Sequence, residues 1–305
     1  MAGLRPSLAQ RRQARGKRAF AVMGKVRLTH PDRIYWRDAG VTKEELAGYY
    51  KKVWTRMKPY VTGRVLALVR CPEGAEGECF FQKHARMGIP TEFLHPLQEE
   101  GEKIIAIDNF DGLLALIQGG ALEIHVRGSA ADDRERANWL VFDLDPGPGV
   151  DFKAVIEAAR EVRTRMQRLH LTSFIKTTGG KGLHVVIPIK PVPWDIAKEF
   201  TRQVALSLEQ DNPDRYIARS SKSRRPGRIF VDWLRNSREA TAIAPYSTRA
   251  RPGAPVAVPL SWTELSSLKA ANQYTVRNIS QRLSRLRTDP WADMSRCRQA
   301  LPRFK

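Results

Sequence analysis

The chain has 305 residues, 42% of them hydrophobic and 28% charged, so it is long enough to bury the core of one large domain or two small ones. Its formal net charge of +20 indicates a polyanionic partner, nucleic acid first and an anionic membrane surface second. No apolar run reaches the roughly 18 residues of a membrane-spanning helix. The three cysteines form no CxxC pair, which argues against a zinc site and fits a reducing cytosol.

The N-terminal segment is strongly basic, since residues 1–27 contain eight Lys or Arg and no acid. This composition predicts a disordered, solvated tail over residues 1–25, with a basic arm on DNA phosphates as the second interpretation. An organelle transit peptide is a third interpretation, although serine is scarce. One ordered domain is expected over residues 26–305, because no internal repeat or low-complexity linker divides it.

The first half of this domain predicts two helices and three strands. Residues 41–61 form the first predicted helix, because Thr42 and Glu45 have capping-box spacing and apolar residues recur behind them at helical intervals. Strands are predicted for GRVLALVRC (63–71), KIIAID (103–108) and ALEIHV (121–126), and a short helix closed by glycines for FDGLLALIQGG (110–120).

The second half also mixes strands with helices. A strand in NWLVFDLDPGPGVDF (138–152) precedes a helix whose predicted N-cap is Asp151. Next come strand TSFIKTT (172–178), turn GGKG (179–182), strand LHVVIPI (183–189), a helix from Trp194 to about Glu209, strand RIFVDWLRN (228–236) and a helical C-terminal part (259–291). Several adjacent strands lack an intervening helix, so the expected fold class is α/β or α+β, with mixed or antiparallel sheets flanked by helices.

Two acidic residues stand one residue apart at the end of a predicted buried strand. Alternate strand residues share a face, so Asp143 and Asp145 point one way and the apolar residues between and before them point the other. Two unpaired carboxylates on one face repel each other, and a divalent cation removes the conflict. The alternative is that one aspartate caps a turn and the other pairs with an arginine, and for an isolated DxD it is the stronger interpretation.

A third acid lies in the middle of another apolar strand. A charge at Asp232 is costly there unless something compensates it, either a salt bridge to Arg235 or Arg228 or a metal. Three aspartates on two strands suit a pair of Mg²⁺ or Mn²⁺ ions roughly 4 Å apart, the arrangement used for in-line attack on a phosphate.

Two further stretches suit a triphosphate. KTTGGKGLHVVIPI lacks the spacing of a Walker P-loop, but its glycine-rich turn carries Thr178, Lys181 and His184 next to backbone N–H groups. APYSTRARPGAPVAVPLSW places Arg249 in a proline-rich loop that can aim its guanidinium. Taken alone, the turn predicts a solvated β-turn lysine and the loop predicts a surface arginine.

In this order, VFDLDPG, TTGGKGLHVVIPI, RIFVDWLRN and APYSTRARPGAPVAVPLSW resemble the polymerase domain of bacterial ligase D, a member of the archaeo-eukaryotic primase superfamily that serves non-homologous end joining. The resemblance covers about residues 26–300. It implies a primase-like catalytic core and a DNA-templated nucleotidyltransferase that fills gaps and extends ends, favouring ribonucleotides.

The resemblance also implies residue roles. Asp143, Asp145 and Asp232 become the catalytic carboxylates and hold two Mn²⁺ or Mg²⁺ ions. The incoming NTP or dNTP is assigned to the glycine-rich turn and to neighbouring side chains, with a threonine where the family usually has serine: Thr178, Gly180, Lys181, His184, Arg235, Arg249 and His125. For His125 the alternative is a half-buried imidazole with satisfied hydrogen bonds.

Three more stretches are implied to contact DNA. LTHPDRIYWRDAGVTKEEL is similar to the segment that grips a downstream 5′-phosphate, which assigns that role to Arg33 and Lys43. CFFQKHA carries Phe80 and Phe81, which the resemblance places near the template, while the alternative is ordinary core. SKSRRPGR places Arg225 in a basic, phosphate-facing loop.

The implied partners are gapped or broken DNA with a 5′-phosphate, nucleotides, and Ku and an ATP-dependent ligase acting in trans. No ligase KxDG motif and no phosphoesterase domain occurs in the sequence, which predicts a stand-alone polymerase or an excised domain. The expected location is the cytoplasm, at the nucleoid, without a membrane. Two alternatives stay open: a primase that starts chains de novo, and a catalytically silent scaffold that binds DNA ends.

Overall fold

Two large sheets and five helices dominate the part of the chain that this computed structural model describes, residues 20–85 and 88–302. The helices are α1 (Lys43–Val61), α2 (Phe110–Gln118), α3 (Phe152–Arg168), α4 (Trp194–Asp211) and α5 (Ile279–Leu283). The strands are β1 (Phe20–Met23), β2 (Val26–Thr29), β3 (Ile34–Trp36), β4 (Val41–Thr42), β5 (Leu66–Arg70), β6 (Phe80–Gln82), β7 (Gln98–Glu99), β8 (Glu102–Lys103), β9 (Ala121–Arg127), β10 (Arg136–Pro146), β11 (Phe174–Thr177), β12 (Leu183–Pro193), β13 (Tyr216–Ile217), β14 (Ile229–Asp232), β15 (Thr241–Ile243) and β16 (Pro259–Leu260).

The larger sheet has six strands in the order β13-β14-β10-β12-β11-β16 and is antiparallel except between β13 and β14. Helices α3 and α4 pack against its central strands. One face of β10 supplies Leu140, Phe142 and Leu144, all fully buried, so the apolar half of its alternation fills the core. The other face is thereby left for the aspartates.

The smaller sheet has the order β15-β9-β5-β6 and is antiparallel throughout. Helix α2 packs on β9 and on α1. Tyr49 of α1 donates to the carbonyl oxygen of Tyr246 at 2.7 Å, and the Tyr50 hydroxyl lies 3.1 Å from Thr248 Oγ1. These buried hydrogen bonds fix α1 against the segment that follows β15.

The predicted helix starts are confirmed. Thr42 caps α1 through a reciprocal capping box with Glu45, and Asp151 caps α3 by accepting from the backbone N–H of Ala154 at 2.7 Å. The short helix α2 begins after Asn109, whose side chain accepts from Gly112 N–H. Each cap satisfies a donor that the first helical turn leaves without a partner.

The helical prediction for residues 259–291 is wrong. Only 3-10 turns at Trp262–Ser266 and Met294–Arg296 and the short helix α5 form in the described C-terminal part. Polar side chains bond the backbone instead: Gln273 accepts from Lys269 N–H and Asn278 accepts from Thr275 N–H. Such local bonds compete with the helical hydrogen-bond ladder.

Two of the predicted strands are longer than the observed ones, and the ordered part of the chain begins earlier than predicted. KIIAID contributes only Lys103 to a strand, followed by isolated bridges at Ile104 and Ile105, and the RIFVDWLRN strand ends at Asp232. The predicted tail lies outside the described residues up to residue 19, whereas β1 begins at Phe20 and pairs with β2. Hydrophobic alternation alone does not show where a strand loses its partner.

Cys71 and Cys79 form a disulfide, and Cys297 is free. The sequence analysis interpreted the three cysteines as fitting a reducing cytosol and did not predict this disulfide. Its origin lies in the register, because Arg70 of β5 pairs with Phe80 of β6, which places the next residues outward, Cys71 and Cys79, opposite each other. None of the helices in the described ranges combines the length and the apolar character that a bilayer crossing demands.

Candidate active site

Three carboxylates converge where β10 and β14 run side by side. Asp143 and Asp145 share a face of β10, and the register pairs Asp143 directly with Asp232 of β14. One carboxylate oxygen of each of the three lies within 4.8 Å of the others. The sequence prediction that a two-residue spacing and a second strand would bring these aspartates together agrees with this geometry.

Asp143 also belongs to a row of polar side chains that crosses four adjacent strands. The register pairs Asp232 with Asp143, Asp143 with His184, and His184 with Lys176. All four are buried, and His184 Nε2 lies 3.3 Å from Asp143 Oδ1. Asp232, Asp143, His184 and Lys176 are called the cross-strand row below. Lys176 was not singled out by the sequence analysis, because its strand reads as ordinary core.

The carboxylates differ in their electrostatic surroundings. Burial by itself raises the pKa of Asp143, but its interactions with His184, Arg235 and Lys176 outweigh burial and lower its pKa to about 2. Burial and the two neighbouring carboxylates raise the pKa of Asp145 to about 6. Burial also raises the pKa of Asp232, with Asp143 adding to the shift and Arg235 opposing it. The three carboxylates therefore repel one another, and the protein groups around them offset this repulsion only in part.

This donor set fits a divalent cation. Asp143 Oδ1 is buried and accepts no hydrogen bond within the described chain, although His184 lies nearby. Three carboxylates supply the hard oxygen ligands that Mg²⁺ and Mn²⁺ take. Arg235 Nε lies 3.1 Å from Asp232 and 3.5 Å from Asp143, so the salt bridge foreseen as the alternative for Asp232 is also present. Arg235 offsets part of the charge without filling the space between the carboxylates.

A cavity of about 610 Å³ opens in front of the carboxylates, between the two large sheets. The larger sheet contributes Asp143, Asp145 and His184, and the smaller one contributes His125 and β15. Every residue predicted to contact the nucleotide lines this cavity: Thr178, Gly180, Lys181, His184, Arg235, Arg249 and His125. Six Lys or Arg line it in all, which suits a ligand with several negative charges: Lys181, Lys222, Arg225, Arg235, Arg249 and Arg251.

The glycine-rich turn is organised by a hydroxyl. Thr178 Oγ1 donates to the carbonyl oxygen of Gly182 at 2.9 Å and accepts from Gly180 N–H at 3.1 Å. Gly179 has φ +66°, and a Cβ there would lie 2.9 Å from Arg249 Cγ. A Cβ at Gly182 would clash with the carbonyl oxygen of Leu144. The glycines thus let the turn approach both β10 and Arg249.

Sequence analysis missed Glu123, a buried residue of β9. Its carboxylate accepts from His125 Nε2 at 2.9 Å, pairs with Arg249 Nε at 3.0 Å, and accepts from Ala250 N–H. Burial opposes ionisation, but these contacts outweigh it and lower the pKa of Glu123 to about 2. The signal was available, since Glu123 and His125 are two residues apart on a predicted strand and share a face.

A second missed residue, Arg251, lines the cavity next to the glycine-rich turn, and its guanidinium lies within 4 Å of the Cβ position of Gly180. Arg225 also lines the cavity, donates to the carbonyl oxygen of Ser220, and stacks over Phe230 at 4.1 Å. The basic loop predicted to face phosphate therefore reaches the same cavity as the nucleotide residues.

Phe80 and Phe81 lie at the rim of this region, on edge strand β6. They are 42% and 51% exposed, so the alternative that they are ordinary core is wrong. The Phe81 ring meets the His125 ring edge-on at 5.9 Å between centroids, and Arg70 lies 5.3 Å from the Phe80 centroid. Two exposed rings next to the cavity form a surface on which bases can stack.

Arg33 and Lys43 lie together but outside the cavity. The backbone N–H of Lys43 donates to the Arg33 carbonyl oxygen at 2.8 Å. Arg33 pairs with Glu73 at 2.8 Å, and the buried Lys43 ammonium donates to Thr29 O and Gln118 Oε1. The two cations form a separate positive site, partly engaged by protein groups.

Comparison with known proteins gives consistent matches. The family model described as "LigD, primase-polymerase domain" matches residues 42–291. The multifunctional non-homologous end joining protein LigD of Pseudomonas aeruginosa is 38% identical over 301 residues, covering 97% of this chain and 36% of the relative. Its counterpart from Mycolicibacterium smegmatis is 37% identical, covering 79% of this chain and 32% of the relative. The chain thus spans about a third of the length of these relatives.

Among solved structures, the polymerase domain of Mycobacterium tuberculosis ligase D in complex with DNA superposes with a TM-score of 0.78 at 33% identity. The match covers 85% of this chain and 94% of that domain. It extends over the mixed α/β architecture with antiparallel sheets, and so confirms the predicted fold class.

Proposed function

The chain belongs to the LigD primase-polymerase domain family, and from that premise we propose that it adds nucleotides to primed DNA, filling gaps and extending ends in double-strand break repair by non-homologous end joining. The single observation that carries the proposal is the convergence of Asp143, Asp145 and Asp232 within 4.8 Å. Asp143 and Asp145 line a cavity of about 610 Å³ with six cationic side chains along its walls. Two carboxylate-bound metal positions beside a triphosphate pocket suit nucleotidyl transfer.

In this proposal the three aspartates hold two Mg²⁺ or Mn²⁺ ions, which supply charge stabilisation and activation of the primer 3′-hydroxyl when bound. Arg235 keeps Asp143 and Asp232 oriented from the side, through contacts of 3.5 and 3.1 Å. His184 contacts Asp143 from the opposite side, with its Nε2 3.3 Å from Asp143 Oδ1, and this contact contributes to the lowered pKa of Asp143. The carboxylates are thereby preorganised before any ligand arrives.

The triphosphate is assigned to the glycine-rich turn and the facing arginines. Lys181 extends from the exposed end of the turn, and Arg249 lies across from it, donating to the Thr178 carbonyl oxygen at 3.1 Å. Glu123 holds Arg249 and His125 in place. These donors offset phosphate charge during transfer, and fixed donors cost no rearrangement at that moment. Ribonucleotides are the proposed preferred substrate.

DNA is assigned to three surfaces around the cavity. Phe80 and Phe81 offer stacking worth roughly 1–3 kcal/mol per base, which is indifferent to sequence and suits repair. Arg225 faces the phosphates of the same strand, and Arg33 with Lys43 takes the 5′-phosphate across the gap. Ku and an ATP-dependent ligase are the proposed partners, at the nucleoid.

The test is nucleotide addition on a gapped duplex with a 5′-phosphate, for wild type and Asp145→Asn. We expect templated addition to fall by at least about 10²-fold, a typical loss for one preorganised electrostatic contact, with DNA affinity near the wild-type value. Asp214→Asn, at an exposed aspartate outside the cluster, is the matched control. Full activity in Asp145→Asn contradicts the assignment.

The same assay separates the alternatives. Addition on unprimed single strands identifies a de novo primase. DNA binding that depends strongly on salt, without any addition, identifies a silent scaffold. Parallel reactions with NTPs or dNTPs, and with Mg²⁺ or Mn²⁺, give the sugar and metal preferences.

A further inference from the structure

A second cavity, of about 970 Å³, opens at the other end of strands β10 and β12 from the carboxylates. Trp139 lines it and comes four positions before Asp143 on β10. This spacing corresponds to about 13 Å along the strand at about 3.3 Å per residue. Its walls come from α1, the ends of β10 and β12, and the C-terminal segment after residue 286. This cavity, lined by Lys52, Trp139, Lys190, Arg287 and Arg298, is called the distal cleft.

The distal cleft is strongly basic. One carboxylate, Asp289, lines it, against six cationic side chains: Lys52, Arg56, Arg64, Lys190, Arg287 and Arg298. Asp289 is already engaged, since it accepts from the Tyr60 and Tyr246 hydroxyls and lies 3.8 Å from Arg56. Within residues 20–85 and 88–302, no ion pair is recorded for the four cations at the rim, Lys52, Lys190, Arg287 and Arg298.

Two of these rim cations are placed side by side by the backbone. The β10–β12 ladder is irregular between Ala137 and Trp139, and Lys190 lies in the irregular stretch of β12. Its backbone N–H donates instead to the Gln299 carbonyl oxygen at 2.8 Å, which anchors the chain next to Arg298. Gln299 is held further by bonds to Thr172 and Pro188. The positive rim is therefore built on fixed backbone.

The inner wall is largely apolar and offers few backbone donors, and among its aromatic rings Tyr60 and Trp291 are buried while Trp139 is half-buried. Tyr60 packs against Trp139 and Trp291, with centroids 6.3 and 5.5 Å apart, and the Arg64 guanidinium lies 3.4 Å from the Trp139 centroid. Arg64 is fully engaged by two carbonyl oxygens and Asn138. Three wall residues are prolines, which have no N–H: Pro59, Pro188 and Pro191.

We propose that the distal cleft binds a single-stranded segment of nucleic acid, with its phosphates on the rim cations and its sugars and bases toward the half-buried Trp139. A positively charged groove beside an accessible aromatic ring is the combination that single-strand sites use. Pockets of about 300–1,000 Å³ enclose small molecules, so this cleft admits one or a few nucleotide units and not a duplex. An acidic peptide fits less well, because the proline-rich wall offers it few backbone donors.

The site is separate from the carboxylate cluster, and the proposal does not depend on the proposed catalysis. Strands β10 and β12 run from one cavity to the other. A single nucleic-acid strand that leaves the proposed catalytic region can continue along this basic surface. Binding there would not depend on the base sequence.

The free thiol of Cys297, which lines the distal cleft, reports occupancy directly. The experiment measures alkylation of Cys297 in the full chain by a neutral maleimide, with and without saturating oligothymidylate, and assigns the labelled peptide by mass spectrometry. We expect the oligonucleotide to slow labelling by more than about tenfold, since thiol reactivity depends on access. Cys297→Ser identifies the signal.

A charge-reversal pair tests the rim. Lys190→Glu with Arg298→Glu should abolish the protection and make the slope of log affinity against log salt shallower by about 1.4, because each single-strand phosphate contact contributes about 0.7. Lys153→Glu with Arg168→Glu, on the exposed face of α3, changes the net charge equally and should leave protection unchanged.

Three results overturn the proposal: no protection at saturating oligonucleotide, protection that survives in the rim variant, or protection by inorganic tripolyphosphate at concentrations where the oligonucleotide has no effect. The last result assigns the cleft to a small polyanion. Gapped-duplex extension is measured in parallel. Normal extension without protection leaves the proposed function standing, and protection without extension leaves the cleft standing.

Discussion

Glu123 is the residue on which the nucleotide side of the cavity depends most. It joins His125 and Arg249, which come from separate parts of the chain, and also accepts from Ala250 N–H. The two-residue spacing from His125 was visible in the sequence, but the partner Arg249 lies far along the chain, and only the folded structure brings it near. Residue spacing therefore predicted that the aspartates lie together, but it did not identify Glu123, which positions His125 and Arg249.

Replacing Glu123 with glutamine keeps its shape and removes its charge. We expect the KM for the incoming nucleotide to rise about tenfold with a smaller change in kcat, because a hydrogen bond to a charged group contributes about 1.5–3 kcal/mol. Steady-state addition on a gapped duplex measures both constants. Glu199→Gln, in an exposed pair with Arg202, is the control, and an unchanged KM in Glu123→Gln excludes the positioning role.

Lys43 is unusual among the candidate DNA contacts because its charge is adjustable. Burial and, secondarily, the neighbouring Arg33 lower the pKa of Lys43 to about 8. The Lys43 ammonium is therefore charged below about pH 8 and becomes neutral above it. A phosphate ester is fully ionised throughout that range, since its second pKa is about 6.

The preference for a 5′-phosphate over a 5′-hydroxyl should therefore weaken as the pH rises through about 8, the pKa of Lys43. The measurement is the ratio of affinities for the two gapped duplexes at several pH values. Lys43→Arg should keep the preference at high pH, because guanidinium stays protonated. A ratio that does not change with pH in the wild type removes Lys43 from the phosphate site.

At the scale of elements, capped helices were predicted well and short strands poorly. Helices α1 and α3 carry their own start signals in Thr42, Glu45 and Asp151. Strands of two or three residues, such as β6, β13 and β16, carry no periodic pattern, since their existence depends on a partner strand. The C-terminal segment was predicted helical from composition, and its asparagine and glutamine side chains bond the backbone instead.

The close approach of the glycine-rich turn to β10 gives a prediction at this scale. Gly182→Ala places a Cβ against the carbonyl oxygen of Leu144, so β12 must move away from β10 near Asp143 and His184. We expect a loss of about 1–3 kcal/mol in unfolding free energy, as for other overpacked sites, together with loss of nucleotide addition.

Thermal and denaturant unfolding measure the stability of Gly182→Ala. Gly48→Ala in α1 is the control, because nothing lies within 4 Å of the added Cβ there and alanine favours a helix. Wild-type stability in Gly182→Ala means that the turn is not held against β10 as described.

At the scale of the whole molecule, the net charge of +20 predicted a polyanionic partner but not where it binds. The structure distributes cations over the cavity beside the three aspartates, the Arg33–Lys43 site and the distal cleft, at positions far apart in sequence. The cavity beside the aspartates forms between two sheets, and no local pattern specifies how two sheets face each other. The family resemblance supplied that arrangement where the residue patterns alone did not.

The cross-strand row has a consequence for changes in chain length. Asp143 and His184 line the cavity only because their strands have the correct parity, so one residue inserted between Trp139 and Asp143 would turn both aspartates of β10 into the apolar core. Between the pairs Ala137–Val192 and Trp139–Pro188, the irregular stretch around Lys190 already accommodates one residue on β10 against three on β12. Insertions should therefore be tolerated in the irregular stretch around Lys190 but not between Trp139 and Asp143. The position of the carboxylates depends on the number of residues in the strand as well as on which residues they are.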